Sequence, residues 1–144
     1  MVVKMKWAIL GLTAIAAAHA GAAHAGLQDS DLWIGFSETD NGFLLDEETG
    51  ALWMTGPCLK ALEPATSTGT TWISHTVELV SVGRAMATLD QRFELETSDA
   101  APRITVVSNG RGGVQSFAAS VDRACDDASG HCARLIASQQ ACQG

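Results

Sequence analysis

Four cysteines constrain this chain more than any other feature: Cys58, Cys125, Cys132 and Cys142. The stretch "SGHCARLIASQQACQG" reads as a short helix, with Ser129 as candidate N-cap, Ala133, Leu135, Ile136 and Ala137 inside, and no internal Gly or Pro. On a straight helix the ten-residue step from Cys132 to Cys142 spans about 15 Å at 1.5 Å per residue, whereas disulfide Cα atoms sit about 4.4–6.8 Å apart. Pairing those two is therefore disfavoured. Two frameworks remain: Cys125–Cys132 with Cys58–Cys142, or Cys58–Cys132 with Cys125–Cys142. The first is preferred, because "DDASGH" supplies a ready turn between Cys125 and Cys132. A zinc site is the competing use of four thiols, but structural zinc sites are built on close C-x₂₋₄-C pairs and the chain has none.

Disulfides need an oxidising compartment, and the N-terminus supplies an address. "MVVKMK" carries Lys4 and Lys6, "WAILGLTAIAAA" is apolar or small, and "HAGAAHAG" offers Ala18-His19-Ala20 and Ala23-His24-Ala25 as cleavage sites. This is the three-part pattern of a secretory signal peptide over residues 1–25, cut after Ala25. The apolar run is too short for the roughly 20 residues of a membrane span. No cysteine follows either site, so a lipid-modified N-terminus is not indicated, and the expected location is the periplasm or the exterior. Cleavage leaves 119 residues, sized for a single domain over 26–144. All sixteen acidic residues stay against seven basic ones, a formal charge of −9, with Lys60 the one remaining lysine. Such a surface repels phosphate backbones, and no basic stripe interleaved with aromatics appears, which argues against nucleic acid as a partner.

Between the signal peptide and the cysteine-rich tail the chain reads as short strands. "DLWIGFS", "FLLD" and "ALWMTG" form a three-stranded meander, turning at Asn41-Gly42 and at "EETG", where Gly50 takes the left-handed position. Trp33, Phe43 and Trp53 are its expected core anchors. "EPATSTGTT", residues 63–71, reads as a long exposed loop. Val77 and Leu79 alternate in "HTVELVSVG", where Val82 is a further apolar residue, and Phe93, Leu95 and Thr97 alternate in "QRFELETS", while residues 84–92 suit a strand or a helical turn equally. Ile104–Val107 and Val114–Ala118 flank the glycine-rich hairpin tip "SNGRGG". The Asp-x-x-Thr-Gly-x-x-Trp hairpin seen in propeller blades occurs once, with no repeat period. The fold class expected is a small, mainly β domain, an antiparallel meander or irregular sheet, closed by a disulfide-linked helical segment at 125–144.

Catalytic signals are thin. Ser74 and His75 are adjacent, so on a strand they point to opposite faces and cannot act together. Neither Gly-x-Ser-x-Gly nor His-Glu-x-x-His occurs. His131 is suited to capping the terminal helix, and the acids Asp46-Glu47-Glu48 and Asp126-Asp127 fall in turns where solvated carboxylates are ordinary. No catalytic residue, cofactor or resident metal is expected. "SETDNGFLLDEE" fails as an EF-hand loop because Ser37 and Thr39 stand where Asp or Asn is needed, which leaves only a loose calcium site at Asp40, Asp46 and Glu48 to consider. Exposed loops then become the carriers of function. The tip Ser108, Asn109, Gly110 and Arg111 combines a hydroxyl, an amide and a guanidinium on a backbone able to approach another surface closely.

The terminal "CDDASGHCARLIASQQACQ", Cys125 to Gln143, resembles the cysteine-spaced helical tail of periplasmic immunity proteins that neutralise peptidoglycan-cleaving toxins delivered by type VI secretion. The resemblance implies a signal peptide, an irregular β-sheet and an exposed serine loop that blocks the toxin's cleft, a role that would fall to Ser108. The expected function is an exported binding protein, an inhibitor or immunity protein for a cell-wall enzyme. Its partner would be a protein, and a cationic hydrolase suits the charge of −9. The alternative is an accessory envelope protein with no enzyme target.

Overall fold

The computed structural model describes residues 26–36, 39–110 and 112–142. The signal peptide expected at 1–25 lies outside the described residues, as does Arg111. Among these residues ten strands form two five-stranded antiparallel sheets. The first contains β1 (Leu32–Gly35), β2 (Gly42–Leu45), β3 (Leu52–Thr55), β4 (Lys60–Ala61) and β10 (Ser120–Asp122), in the order β10-β1-β2-β3-β4. The second runs β5-β6-β7-β8-β9: β5 (Thr66–Thr68), β6 (Thr71–Val82), β7 (Ala85–Glu96), β8 (Arg103–Ser108) and β9 (Val114–Ala118). Among the described residues one α-helix, α1 (His131–Ser138), follows the last strand. The mainly β reading with a disulfide-linked C-terminal helix describes this architecture.

The expected meander is β1-β2-β3, and all three aromatic anchors are buried, but they do not share one core. Leu32, Ile34, Phe43, Leu45 and Leu52 point inward and meet Phe93, Leu95 and Ile104 of the second sheet. Trp33, Leu44 and Trp53 occupy one cross-strand row on the opposite face, packed with Leu27, Leu59, Cys132 and Leu135. Continuous apolar runs such as "LWI" and "FLL" follow from this, since a strand covered on both faces needs no polar alternation. The Trp33 indole lies across Gly35 and Gly42, where a Cβ would collide with the ring, so those two positions require glycine. Gly50 adopts the expected left-handed conformation at φ +85°.

The terminal helix is shorter than its sequence suggested. Gly130, not Ser129, is the N-cap; the Ser129 hydroxyl instead donates to Asp127 at 2.7 Å. Asp122 serves the helix from a distance, its Oδ2 accepting the Cys132 N–H at 3.1 Å. After Ser138 the backbone turns extended at Gln139, whose side chain grips both the N–H and the carbonyl of Gly56 at 3.3 Å. The tail then runs parallel to Leu59, exchanging bonds through Gln140 and Cys142. The disulfides are Cys125–Cys132 and Cys58–Cys142, each with Cα atoms 4.8 Å apart. The preferred pairing is the one observed, although the helix used to exclude Cys132–Cys142 does not reach Cys142.

Residues 63–71 are not one long loop. Thr66–Thr68 form an edge strand, and the chain turns through Gly69-Thr70 directly into β6. The ambiguous stretch 84–92 is strand from Ala85 onward, paired residue for residue with β6 up to Val82↔Ala85, with Arg84 in the turn.

Candidate binding face

The sheet pairing makes β6 and β7 twelve residues each, whereas β5 covers only Thr71–Ile73 of one and β8 only Gln91–Glu96 of the other. The hairpin therefore projects as an arm beyond its neighbours. The strand period of two puts Val77, Leu79, Ser81, Met86, Thr88 and Asp90 on its outer face. Val77, Leu79 and Met86 are 56, 69 and 62 % exposed, and Val82 on the other face is 58 % exposed. Val77 and Leu79 alternate as residues of a core-facing strand do, but their parity is opposite to that of buried Ser74, so they lie on the face turned away from the first sheet. On the inner face Lys60 of β4 donates to both oxygens of Glu78, at 2.9 and 3.0 Å, and ties the base of the arm to the first sheet.

At the base of the outer face, a shallow depression of about 230 Å³ is lined by His75, Asp90, Arg92, Val107, Ser108 and Asn109. His75 Nε2 lies 2.5 Å from Asp90 Oδ1, and Arg92 Nε donates to Glu94 at 2.8 Å. Ser74, behind His75, is buried, and its hydroxyl donates to the Glu63 carbonyl at 2.6 Å, so the adjacent pair do face opposite ways.

The hairpin tip is more engaged than its composition implied. Ser108 ends β8, and its Oγ accepts the Gly110 N–H at 3.2 Å. The Gly110 carbonyl accepts the Gly113 N–H at 3.3 Å. Asn109 is bonded to β7: its N–H donates to the Asp90 carbonyl, its Oδ1 accepts the Asp90 N–H, and its Nδ2 donates to the Thr88 carbonyl.

The acids considered for calcium are not brought together. Asp46 is buried and spends Oδ1 on the Glu48 N–H and Oδ2 on the Thr49 hydroxyl, forming the β2–β3 turn. Asp40 lies 3.6 Å from His131, which opens α1 and stacks on Trp33 with ring centroids 5.1 Å apart. Among the described residues no group of three or more His, Cys, Asp or Glu is placed to hold a metal ion. Two acids are shifted below the ordinary carboxylate range, Glu96 by the hydroxyls of Thr70 and Thr71, and Asp127 by the hydroxyl and then the N–H of Ser129. Both are turn-stabilising interactions at the surface.

The fold and its exposed arm thus define a disulfide-linked, two-sheet β-domain. No family model matches the chain, and neither a curated protein nor a solved structure matches it. The two disulfides place the folded chain in an oxidising, extracytoplasmic environment. No helix of the described residues is long and apolar enough to cross a membrane.

Proposed function

We propose that the chain is exported to the periplasm by its N-terminal signal peptide. There it acts as a binding protein that blocks a cationic peptidoglycan-degrading enzyme. The observation that carries this reading is the outer face of the arm, where Val77, Leu79 and Met86 stand exposed beside one another on a domain whose other large apolar side chains are mostly buried. Contiguous exposed apolar surface beside polar residues marks sites of protein contact. Ser108 and Asn109 lie beside the depression at its base, so tip and arm make one contact surface in which the Ser108 hydroxyl would approach the enzyme's cleft. The charge of −9 steers a basic partner toward it.

The test is titration of the oxidised domain, residues 26–144, into purified cationic peptidoglycan hydrolases while cell-wall cleavage is followed. Stoichiometric inhibition that weakens with added salt is expected. Cleavage unaffected across the panel at micromolar domain would reject the inhibitor role.

A further inference from the structure

The arm has two backbone edges, and they are finished differently. A two-residue turn closes the hairpin at Val82↔Ala85, which makes even-numbered residues of β6 the ones bonded to β7. The bond from the Thr97 N–H to the Thr70 carbonyl fits the same register. The N–H and C=O groups of His75, Val77, Leu79 and Ser81 therefore point away from β7. Those of Thr71 and Ile73 point the same way and meet β5, but β5 extends no further. On the opposite edge β8 covers β7 as far as Gln91, and Asn109 carries the ladder on to Asp90 and Thr88.

We infer that the open β6 edge, His75 to Ser81, is a strand-addition site that receives an extended cationic segment of the partner protein. This inference rests on the binding reading above and names its mode. Four successive outward pairs of N–H and C=O repeat at the spacing of an extended chain, about 6.8 Å per two residues, and only another strand satisfies them in register. Folded proteins blunt such edges with lysine, proline or a bulge. "SHTVELVSV", Ser74 to Val82, contains no lysine or proline, and every residue from Thr71 to Val82 pairs one-to-one with β7, so no bulge interrupts it. Its one acid, Glu78, is turned to the inner face and held by Lys60. Outward-pointing Val77 and Leu79 offer apolar side chains to alternate residues of an incoming strand. The remaining residues of that strand meet a domain of charge −9, with exposed Glu63 at the start of the edge. An alternating apolar and basic segment matches both.

The probe is an eight-residue peptide alternating valine and lysine with blocked ends, and its counterpart carrying glutamate for lysine. Both are added to the oxidised domain while amide hydrogen exchange is read residue by residue. At saturation the valine–lysine peptide is expected to slow exchange at His75, Val77, Leu79 and Ser81 at least tenfold, and the glutamate peptide is expected to leave them unchanged. Leu79→Pro removes one outward N–H without touching a β6–β7 bond and should weaken the peptide at least tenfold, whereas Leu79→Thr, which keeps the N–H, should retain edge protection. Unchanged exchange at all four amides, or protection confined to residues 108–113, overturns the inference. Equal protection by the two peptides overturns its cationic part. Protection that rises with domain concentration alone, together with a dimer in sedimentation, would assign the edge to a second copy instead. A hydrolase blocked without edge protection would leave the binding reading standing and this mode rejected. An edge that takes the peptide while no hydrolase is blocked would do the reverse.

Discussion

Asn109 grips the peptide group of Asp90 as a neighbouring strand would: its N–H donates to the Asp90 carbonyl and its Oδ1 accepts the Asp90 N–H, both at 3.1 Å. With Nδ2 reaching the Thr88 carbonyl at 3.0 Å, one amide side chain takes the place of the next residue of β8. Asn109→Ala should cost about 1–3 kcal/mol, as two side-chain hydrogen bonds of about 0.5–1.5 kcal/mol each are lost. Denaturant unfolding measures the loss, and exchange at the Asp90 amide should quicken. An unchanged Asp90 amide would show that the side chain adds nothing to the ladder.

The two disulfides should differ in worth. Cys58–Cys142 closes a span of 84 residues and Cys125–Cys132 one of 7. Chain-entropy arguments give about 4–5 kcal/mol for the first and about 2 kcal/mol for the second. Replacing each pair by serine and comparing thermal unfolding checks the order. Alkylation without reductant followed by mass spectrometry should find no free thiol, and two or more labelled cysteines would remove the premise.

Burial on both faces of the first sheet makes a sharper claim. Leu44 and Leu45 are adjacent and face opposite cores, yet neither is solvent-accessible. Leu44→Ala and Leu45→Ala should each cost about 2–5 kcal/mol. Leu79→Ala on the arm should stay within about 0.5 kcal/mol. A large loss at Leu79 would mean that the arm is part of the core.

Glu96 gives a pH signature. Hydrogen bonds from Thr70 first and Thr71 second depress its folded pKa, so its contribution is present above the ordinary carboxylate value of 4.5 and is lost as pH falls through the folded value. Thr70→Val with Thr71→Val should lower stability at neutral pH, and the gap from the parent protein should close on acidification. Unfolding curves at pH 7 and near pH 3 measure this. A gap that persists undiminished at the lower pH would assign the effect to packing.

Local chemistry was legible where it acts locally. Gly50 marked its turn, and the short loop around "DDASGH" marked the tighter disulfide; Asn41-Gly42 did not form the expected tight turn, since Gly42 already pairs with Gly35 inside β2. Burial was harder to read, because alternation reports a half-covered strand without saying whether the neighbouring face exists. Val77 and Leu79 alternate as core residues do, yet lie on the face of β6 turned away from the first sheet. Trp33 and Phe43 look equivalent, but the register of β1 against β2 sends them to opposite faces. The terminal helix was overextended because nothing local stops it at Ser138; Gly56 and Leu59, some eighty residues earlier, draw the tail away. At the candidate site the tip was visible from its glycines, whereas the open edge of β6 exists only because β5 begins at Thr66, opposite Ile73.

The pairing of Trp33 with Asp122 has a consequence for how the molecule is made. β1 emerges early from the ribosome, but its second neighbour, β10, and the helix that covers Trp33 emerge about ninety residues later. Until then the indoles of Trp33 and Trp53 have no wall behind them, and Cys58 has no partner to oxidise with. On the proposed export route, a nascent chain that threads a translocation pore unfolded would be kept open by its own topology, closing only when its far end has arrived.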